Sequence, residues 1–528
     1  MEGITSMRIL VTEKLAPSGL DAMAAAGHEV DVQLDLSPEA LCEAIKGAHA
    51  LVVRSATKVT SSVLEAGTDL IVVGRAGVGI DNVDAEAATQ RGVMVVNAPE
   101  SNIVSAAEHA FALLLAQARN IPQAHSALVA GRWERSKWEG VELLGKTLGI
   151  VGLGRIGALI AHRAQAFGMR CIAYDPYITP ERAAQLDVEL RTLDEVVAEA
   201  DFVTIHLPKT KETTGLFGAD LFAKAKPTLR IINAARGGII DEQALADAIA
   251  AGQVAGAAID VFEAEPTTES PLFALDRVVV TPHLGASTGE AQDKAGEQIA
   301  EQIILALNGD FVPFAVNVSA RGASAAVRPY IGLAERLGRF FGALTVDVAS
   351  EVEVEYQGAL SLEETSMLTL SVMKGLFAQS SDEAVSYVNA PLLAEGHGVS
   401  LREVKTTQSL DHLSMITVRS SEHSVAGTLV GGDSAKPQIV SVDDHSVEVS
   451  PTEFMLVVRN DDRPGMIGVV ATAVGAAGVS IVNMAVGQTH GGGTAMMVLA
   501  LDRPLEADVV EAIRVSDGIQ GVSSVNII

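Results

Sequence analysis

The sequence predicts an α/β protein in which two doubly wound parallel-sheet domains are followed by an α+β domain and a small βαββαβ domain. Short apolar strands alternate with helix-length segments through the first 285 residues, which is typical of parallel sheets covered by helices on both faces. Beyond residue 327 apolar and polar residues alternate strictly, as in EVEVEYQG at 351–358. The length of 528 residues suits three or four domains, and 48% hydrophobic residues exclude wholesale disorder.

Charge and cysteine content restrict the partners and the compartment. The net charge of −28 repels phosphate backbones and anionic lipids, and no Lys/Arg cluster offsets it, so neither nucleic acid nor a membrane is expected as a partner. Cys42 and Cys171 lie far apart, which predicts no disulfide framework and no thiolate zinc site, and suits a reducing compartment. The start, MEGITSMRILV, does not resemble a signal peptide, so a cytoplasmic location is expected.

The first domain is predicted from five apolar segments. They are MRILVTE at 7–13, HEVDVQL at 28–34, ALVVRS at 50–55, LIVVGRAGV at 70–78 and GVMVVNAP at 92–99. A strongly apolar helix is predicted at 105–121, as a spine between the first two domains.

The second domain repeats this alternation after a loop, GRWERSKWEG, at 131–140. Its strands are predicted within KTLGIVGLGRIG at 146–157, RCIAYDP at 170–176, DFVTIHLP at 201–208, LRIINAARGG at 229–238, VAGAAIDVF at 254–262 and RVVVTPHLG at 277–285. The helix predicted at 286–308 returns to the first domain.

Two smaller units follow a linker of small residues at 319–326. The segment 327–450 indicates an α+β unit without recognisable chemistry. The last 75 residues predict βαββαβ, with the turn NDDRPG at 460–465 and a hairpin at HGGG, 490–493. The uncharged run 466–486 is long enough to span a membrane, but it is rich in small and polar residues, so we interpret it as a buried helix followed by a strand.

A glycine motif opens the second domain. Gly152, Gly154 and Gly157 follow the apolar run TLGIV and begin a helix, which suits a tight turn, a pyrophosphate at the helix N-terminus and close helix–strand packing. The next predicted strand ends at Asp175, where a carboxylate accepts from both ribose hydroxyls and repels a 2′-phosphate. The glycine motif and Asp175 together predict that the cofactor is NAD rather than NADP. The alternative is a structural turn and an unrelated exposed Asp.

Three later strands of this domain each precede a polar residue of a different kind. Arg236, Glu265 and His283 are therefore expected beyond the carboxyl ends of the strands, where ligands bind in open parallel sheets. A His with a pKa near neutrality suits removal of a hydroxyl proton during hydride transfer, a carboxylate orients it, and an Arg binds a substrate carboxylate. Taken singly, each residue has an ordinary alternative as a solvated or structural side chain.

Several motifs resemble those of D-isomer-specific 2-hydroxyacid dehydrogenases. They are GLGRIG at 152–157, NAARGG at 233–238, DVFEAEP at 260–266 and PHLGAST at 282–288. Three more segments, at 52–59, 72–84 and 131–135, resemble the long members of the family that act on D-3-phosphoglycerate. The resemblance covers nearly the whole chain, including an intervening allosteric-substrate-binding domain and a C-terminal ACT regulatory domain.

The resemblance implies NAD-dependent oxidation of D-3-phosphoglycerate to 3-phosphohydroxypyruvate, the first step of the phosphorylated route to L-serine, with L-serine as feedback effector and a homotetrameric assembly. The implied domains are a substrate domain at 7–102 plus 286–318, an NAD-binding domain at 103–285, the intervening domain at 319–450 and the ACT domain at 451–528.

The resemblance also implies site residues. Arg236, Glu265 and His283 are the catalytic set. The cofactor side comprises Gly152, Gly154, Arg155, Ile156, Gly157, Asp175, His206, Pro208, Ala234, Asp260 and Gly285. The substrate side comprises Arg54, Ser55, Arg75, Gly77 and Val78, with a possible anion nest in the amides of 76–79. Ordinary exposed arginines and a tight turn are the alternative. Trp133 lies in a segment that reaches the neighbouring subunit in the family, and core packing is its alternative.

The implied effector site is formed by Asn460, Asp462, Ser480 and Asn483. Asn460 stands where relatives often carry His or Tyr, and Ser480 stands where many carry an Asn. The missing amide predicts serine inhibition that is present but weakened, unless Asn483 compensates.

Two other functions remain open from the sequence. One is a dehydrogenase for glycerate, lactate or formate, but such enzymes generally end near residue 330 on this scale. The other is a dinucleotide-sensing corepressor on the same fold, against which the ACT domain and the lack of a recognisable recruitment segment argue.

Overall fold

The computed structural model of the chain describes residues 6–320, 323–345, 350–378, 385–409, 412–431, 435–488 and 493–527. Within these ranges the strands form four main sheets, two wholly parallel, one mixed and one antiparallel. The predicted fold class is confirmed. The linker residue Arg321 and residues 490–492 of the predicted HGGG hairpin lie outside the described ranges.

The first domain is a five-stranded parallel sheet in the order β2-β1-β3-β4-β5. Its strands are β1 (Arg8–Val11), β2 (Glu29–Val32), β3 (Ala50–Val53), β4 (Val72–Arg75) and β5 (Met94–Asn97), and its helices are α1 (Pro17–Ala25), α2 (Pro38–Ala44), α3 (Ser61–Ala66) and α4 (Ala85–Gln90). The central strand β3 and the edge strand β5 are both buried throughout.

The second domain contains a seven-stranded parallel sheet. Its elements are α5 (Ile103–Arg119), α6 (Ile121–Val129), β6 (Thr147–Val151), α7 (Arg155–Ala166), β7 (Arg170–Tyr174), α8 (Pro180–Gln185), β8 (Glu189–Leu190), α9 (Leu193–Glu199), β9 (Phe202–Ile205), α10 (Ala219–Phe222), β10 (Arg230–Asn233), α11 (Glu242–Ala250), β11 (Gly256–Ile259) and β12 (Val278–Val280). The order β12-β11-β10-β9-β6-β7-β8 reverses direction between β6 and β9. Ligands of doubly wound sheets bind at such a switch point.

Two long helices connect these domains. The spine helix α5 packs on α7, β10 and β11 of the second domain and ends at Asn120, which adopts a left-handed conformation. Helix α12 (Gly289–Leu307) returns to pack on α1 and β4. A Cβ at Gly19 would lie 2.6 Å from the carbonyl oxygen of Gly296, so the two helices approach closely where both lack side chains.

The third domain places helices against a six-stranded mixed sheet, β14-β13-β15-β16-β17-β18. Its elements are α13 (Ile331–Leu344), β13 (Glu351–Gly358), α14 (Ser366–Phe377), α15 (Ala390–Gly396), β14 (Ser400–Thr406), β15 (Ser414–Arg419), β16 (Ser424–Val430), β17 (Lys436–Val442) and β18 (His445–Val449). The segment before α15 docks on the first domain, where Ser386 Oγ donates to the carbonyl of Gly92 at 3.0 Å and Val388 is buried in the first domain's core.

The last domain has the predicted βαββαβ order. Its elements are β19 (Phe454–Asp461), α16 (Met466–Ala476), β20 (Ile481–Gln488), β21 (Thr494–Leu501), α17 (Ala507–Arg514) and β22 (Ile519–Asn526), with the antiparallel order β20-β21-β19-β22. Leu456 and Val458 of β19 pack with α16, whereas the alternate residues Met455 and Val457 join the third domain's core. The predicted boundary at 450 therefore does not separate two independent cores.

The run 466–486 forms the short helix α16 and the strand β20, as predicted. However, the interpretation of a buried helix is only half right, because Ile467 is 46% and Val469 38% exposed. Among the described residues no helix combines the length and hydropathy needed to cross a membrane.

Candidate active site

A cleft of about 1020 Å³ lies between the first two domains. Both domains line it, and the sequence-predicted residues among the lining are Arg54, Ser55, Arg75, Gly77, Glu265 and His283. The fold thus brings the predicted substrate side of the first domain opposite the predicted acid–base pair of the second.

His283 and Glu265 form a close pair at the edge of the cleft. Oε2 of Glu265 lies 2.6 Å from Nδ1 of His283, while Oε1 accepts from the backbone N–H of Phe262 at 2.8 Å. The hydrogen bond to Glu265 raises the pKa of His283 despite its partial burial. Burial alone would raise the pKa of Glu265, but the hydrogen bonds from His283 and Phe262 outweigh it and lower that pKa.

The loop that carries His283 is held by Asp260 at the end of β11. The carboxylate of Asp260 accepts from the Thr281 hydroxyl at 2.5 Å and from the backbone N–H groups of Leu284 and Gly285 at 2.8 and 2.9 Å. His109 Nε2 lies 3.0 Å from it. Asp260 is fully buried and holds this loop through these bonds, and its role on the cofactor side stays a prediction.

Arg236 follows β10 and reaches the first domain beside the cleft. Its Nη1 donates to the carbonyl of Ala235 at 2.7 Å, and its Nε lies 3.3 Å from Oδ2 of Asp81 in the first domain. The sequence interpretation had assigned no role to Asp81.

The loop that bears Arg54 is organised by two residues that the sequence interpretation missed. The carboxylate of Glu13 accepts from the backbone N–H groups of Arg54 and Thr57 at 2.8 and 2.9 Å. The side-chain amide of Asn82 donates to the carbonyls of the same two residues at 2.6 and 2.7 Å. Among the described bonds, the guanidinium of Arg54 itself makes only a weak one, at 3.4 Å to the carbonyl of Lys14, so it is available to an anion.

Arg75 is more deeply placed. Burial, together with the nearby Arg236, lowers the pKa of Arg75 to about 10, and its Nε has no hydrogen-bond partner in the described part of the chain. A Cβ at Gly77 would lie 1.8 Å from Nη1 of Arg75, so the guanidinium folds over the loop in the space that a side chain at 77 would occupy.

The predicted anion nest at 76–79 is smaller than expected. The N–H of Ala76 donates to the carbonyl of Val53, and the N–H of Gly77 donates to that of Arg75, each at 2.8 Å. The carbonyl of Val78 accepts from Asn97 Nδ2 at 2.6 Å. Two of the four amides are thus already used.

The glycine motif forms a cradle at the switch point. Gly152, with φ +98°, follows β6, and a Cβ there would lie 2.7 Å from the carbonyl oxygen of His206, which directly follows the adjacent strand β9. A Cβ at Gly157 would meet the Gly152 carbonyl oxygen at 2.2 Å, whereas one at Gly154, at the N-terminus of α7, would have nothing within 4 Å. Space is therefore open at the helix N-terminus, where a pyrophosphate fits.

The ribose side of this cradle contains Asp175. Its Oδ2 accepts from the N–H of Leu153 at 2.8 Å and its Oδ1 from that of Tyr177 at 2.9 Å, so the carboxylate also ties the glycine loop to β7. Burial lowers the pKa of His206 to about 4, which keeps its ring neutral near neutral pH.

The other predicted cofactor residues surround this cradle. Arg155 is exposed and pairs with Glu100 at 2.9 Å, Ile156 packs on the domain core, and Pro208 is exposed beyond β9. A Cβ on Gly285 would lie 3.7 Å from the carbonyl oxygen of Ala234, so these two loops meet.

The predicted effector residues do not converge within one chain. Asn460 is only 2% exposed, its Oδ1 lacks a partner among the described residues, and its Nδ2 donates to the carbonyl of Asp461. Its contact with an effector stays a prediction. Strand β21 pairs with both β19 and β20. Asn460 of β19 lies opposite Ala495, and Asn483 of β20 lies opposite Ala500, so the two asparagines are offset by five residues along β21. That spacing is about 17 Å along a strand. Asp462, Ser480 and Asn483 are all exposed.

Comparison with protein families finds three matches. Residues 111–285 match the D-isomer specific 2-hydroxyacid dehydrogenase, NAD binding domain, residues 326–443 match the D-3-phosphoglycerate dehydrogenase intervening domain, and residues 454–517 match the ACT domain.

Full-length relatives decide the family. The chain is 48% identical over 512 residues to D-3-phosphoglycerate dehydrogenase of Mycobacterium bovis, covering 96% of each, and 41% identical over 527 residues to that of Methanocaldococcus jannaschii, covering 99% of this chain and all of the relative. The chain belongs to the D-3-phosphoglycerate dehydrogenase family.

Family membership agrees with the cradle and the cleft: the chain is an NAD-binding dehydrogenase. Among solved structures, the NAD⁺-bound 3-phosphoglycerate dehydrogenase of Entamoeba histolytica is similar at 30% identity and a TM-score of 0.51, covering 59% of this chain and 99% of that one. By contrast, the similarity to the Mycobacterium bovis and Methanocaldococcus jannaschii enzymes also includes the third and fourth domains, since it covers 96% and 99% of this chain.

Proposed function

We propose that this chain oxidises D-3-phosphoglycerate to 3-phosphohydroxypyruvate, the first step of the phosphorylated route to L-serine. One observation carries the proposal: the cleft places the His283–Glu265 pair opposite two arginines of the first domain, Arg54 and Arg75. A substrate with a phosphate and a carboxylate at its ends matches guanidinium groups on both sides of a reacting carbinol.

His283 acts as the general base. Its Nδ1–H donates to Glu265, which leaves Nε2 as the acceptor for the substrate hydroxyl proton. The imidazolium that forms is stabilised by the Glu265 carboxylate, and the raised pKa of His283 reflects the same interaction. The hydroxyl of Thr281 and the carboxylate of Asp260 hold the loop that fixes the ring.

Three arginines hold the anionic ends. Arg236 lies on the same side as His283 and binds the substrate carboxylate, while Arg54 and Arg75 face it from the first domain and bind the phosphate. With a pKa of about 10, Arg75 remains charged near neutral pH. Preorganised cations also stabilise the negative charge that develops on the oxygen as its proton leaves.

NAD would supply the hydride acceptor at this site. The residues present fit it, because Gly152, Gly154 and Gly157 leave open the space at the N-terminus of α7 and Asp175 stands beside them. Asp175 carries a carboxylate that disfavours a 2′-phosphate.

The assembly is a homotetramer, and L-serine is its effector. Trp133 is 82% and Val129 75% exposed on the second domain, which is typical of an apolar surface that another subunit covers. The separation of Asn460 from Asn483 within one chain favours an effector site completed by a second ACT domain. The free cysteines Cys42 and Cys171 suit the cytoplasm.

A substrate panel tests the proposal. The purified chain is assayed by NADH absorbance with D-3-phosphoglycerate, glycerate, lactate and glyoxylate, and the highest kcat/KM is expected with D-3-phosphoglycerate and NAD. A preference for an unphosphorylated hydroxy acid would overturn the substrate assignment, and absence of turnover with all of them would overturn the enzymatic one.

A further inference from the structure

An ion pair crosses the catalytic cleft between the first two domains. Asp81 belongs to the loop between β4 and α4, Arg236 follows β10, and Oδ2 of Asp81 lies 3.3 Å from Nε of Arg236. We propose that Asp81 is a positioning residue, which fixes the orientation of the Arg236 guanidinium toward the substrate. This inference rests on the proposed function, because it concerns the same site.

Gly79 leaves room for this contact. A Cβ at Gly79 would lie 2.4 Å from Nη2 of Arg236 and 2.7 Å from Oδ2 of Asp81. The φ of Gly79 is not left-handed, so the backbone does not require glycine here. The absence of a side chain instead leaves the space in which the two charged groups meet.

The contact determines which edge of the guanidinium faces the cleft. Nε is directed to Asp81, and Nη1 donates to the carbonyl of Ala235 at 2.7 Å. Since the guanidinium is planar and its donors form a rigid fork, two fixed directions also fix the third. Nη2 lies over Gly79 beside Asp81, so the Nε–Nη2 edge of the guanidinium faces the first-domain loop.

Charge balance supports the same role. Arg75 and Arg236 repel each other, and this repulsion contributes to the lowered pKa of Arg75. The negative charge of Asp81 raises the pKa of Arg75 and so opposes that effect. In the absence of an anionic substrate, Asp81 offsets part of the repulsion between the two guanidinium groups, together with Glu13 beside Arg75.

The test is a double-mutant cycle between Asp81 and Arg236 in the full-length enzyme. Asp81→Ala is expected to lower kcat with D-3-phosphoglycerate by about 10- to 100-fold and to raise the KM for this substrate, because misorientation of a catalytic group by ~1 Å has costs of that order. NADH affinity, measured by fluorescence, is expected to be unchanged. In an Arg236→Lys background, which lacks Nε and the fork, Asp81→Ala is expected to have less than about a two-fold further effect.

Two further variants keep the test independent of folding. Gly79→Ala displaces the guanidinium from Asp81 without removing either charge, and the same kinetic loss is expected. Glu86→Ala removes an exposed carboxylate from the first turn of α4, and wild-type kinetics are expected.

Equal losses from Asp81→Ala in both backgrounds would overturn the proposal. So would a lower KM with unchanged kcat, which is the result if Asp81 merely repels the anionic substrate. Because every comparison is made against a wild-type enzyme that turns over D-3-phosphoglycerate, failure of this inference is distinguishable from failure of the proposed function.

Discussion

Oε2 of Glu265 lies 2.6 Å from Nδ1 of His283, and the other oxygen of the same carboxylate is held by the backbone N–H of Phe262. The carboxylate is thus fixed on one side and orients the imidazole with the other. Two predictions concern this pair.

His283→Ala is expected to lower kcat by about 10²–10⁴-fold, the usual contribution of general base catalysis. NADH affinity, measured by fluorescence titration, is expected to be nearly unchanged, since the glycine cradle lies elsewhere. His162→Ala, which removes an exposed histidine from α7, is the matched control. Turnover within a few-fold of wild type would remove His283 from the mechanism.

Glu265→Gln is expected to shift the pH profile of oxidation. His283 must be neutral to accept a proton, so kcat/KM falls as the pH drops through its pKa. Glu265 raises that pKa, so loss of its charge is expected to move the acidic limb to lower pH. The measurement is kcat/KM against pH for both enzymes. An unmoved or upward-shifted limb would contradict the pairing.

Asp175→Ala is expected to narrow the preference for NAD over NADP, because the carboxylate no longer repels a 2′-phosphate. It is also expected to raise the KM for NAD, since the carboxylate ties Leu153 and Tyr177 together. Asp175→Asn separates the two effects: it removes the charge but keeps one acceptor oxygen. A wild-type enzyme equally efficient with both cofactors would exclude this role.

Arg54→Ala is expected to raise the KM for D-3-phosphoglycerate by about 10- to 100-fold, the value of a charged hydrogen bond. A much smaller change is expected with an unphosphorylated hydroxy acid. Arg91→Ala, which removes an exposed arginine paired with Glu65 at 3.5 Å, serves as the control. Equal losses with both substrates would mean that Arg54 binds a shared carboxylate or stabilises its loop.

L-Serine is expected to inhibit the whole enzyme weakly. Ser480 in place of an Asn amide loses a hydrogen-bonding group, at a cost of about 0.5–1.5 kcal/mol, or roughly 2- to 13-fold in affinity. Ser480→Asn is therefore expected to strengthen inhibition, and Asn483→Ala to weaken it further. No response to millimolar serine in calorimetry or inhibition assays would mean that the last domain does not bind serine and serves only in assembly.

This measurement requires the full chain rather than the isolated 451–528 fragment. Met455, Val457, Met496 and Val498 are buried in a core shared with the third domain. A fragment lacking that domain exposes one apolar face of its sheet to water and is expected to aggregate.

The sequence by itself determined the strands, the glycine cradle and the strand ends that carry Arg236, Glu265 and His283. These features follow from local patterns, since apolar runs mark strands and a parallel sheet gathers their carboxyl ends at one edge. A local signal for the shared core was also present: the continuous apolar runs FMLVV at 454–458 and AMMVLAL at 495–501 indicate strands buried on both faces.

Only the tertiary structure decided which residues act through others. Glu13 precedes Arg54 by 41 residues, and Asp81 precedes Arg236 by 155, so no local periodicity connects either pair. The same limit applied to Asn460, which is polar in sequence yet buried once β21 and β22 flank its strand. Hydrophobic patterning assigns a residue to an element and a face, but contacts between side chains on separate elements arise from the packing of those elements, which local sequence does not encode.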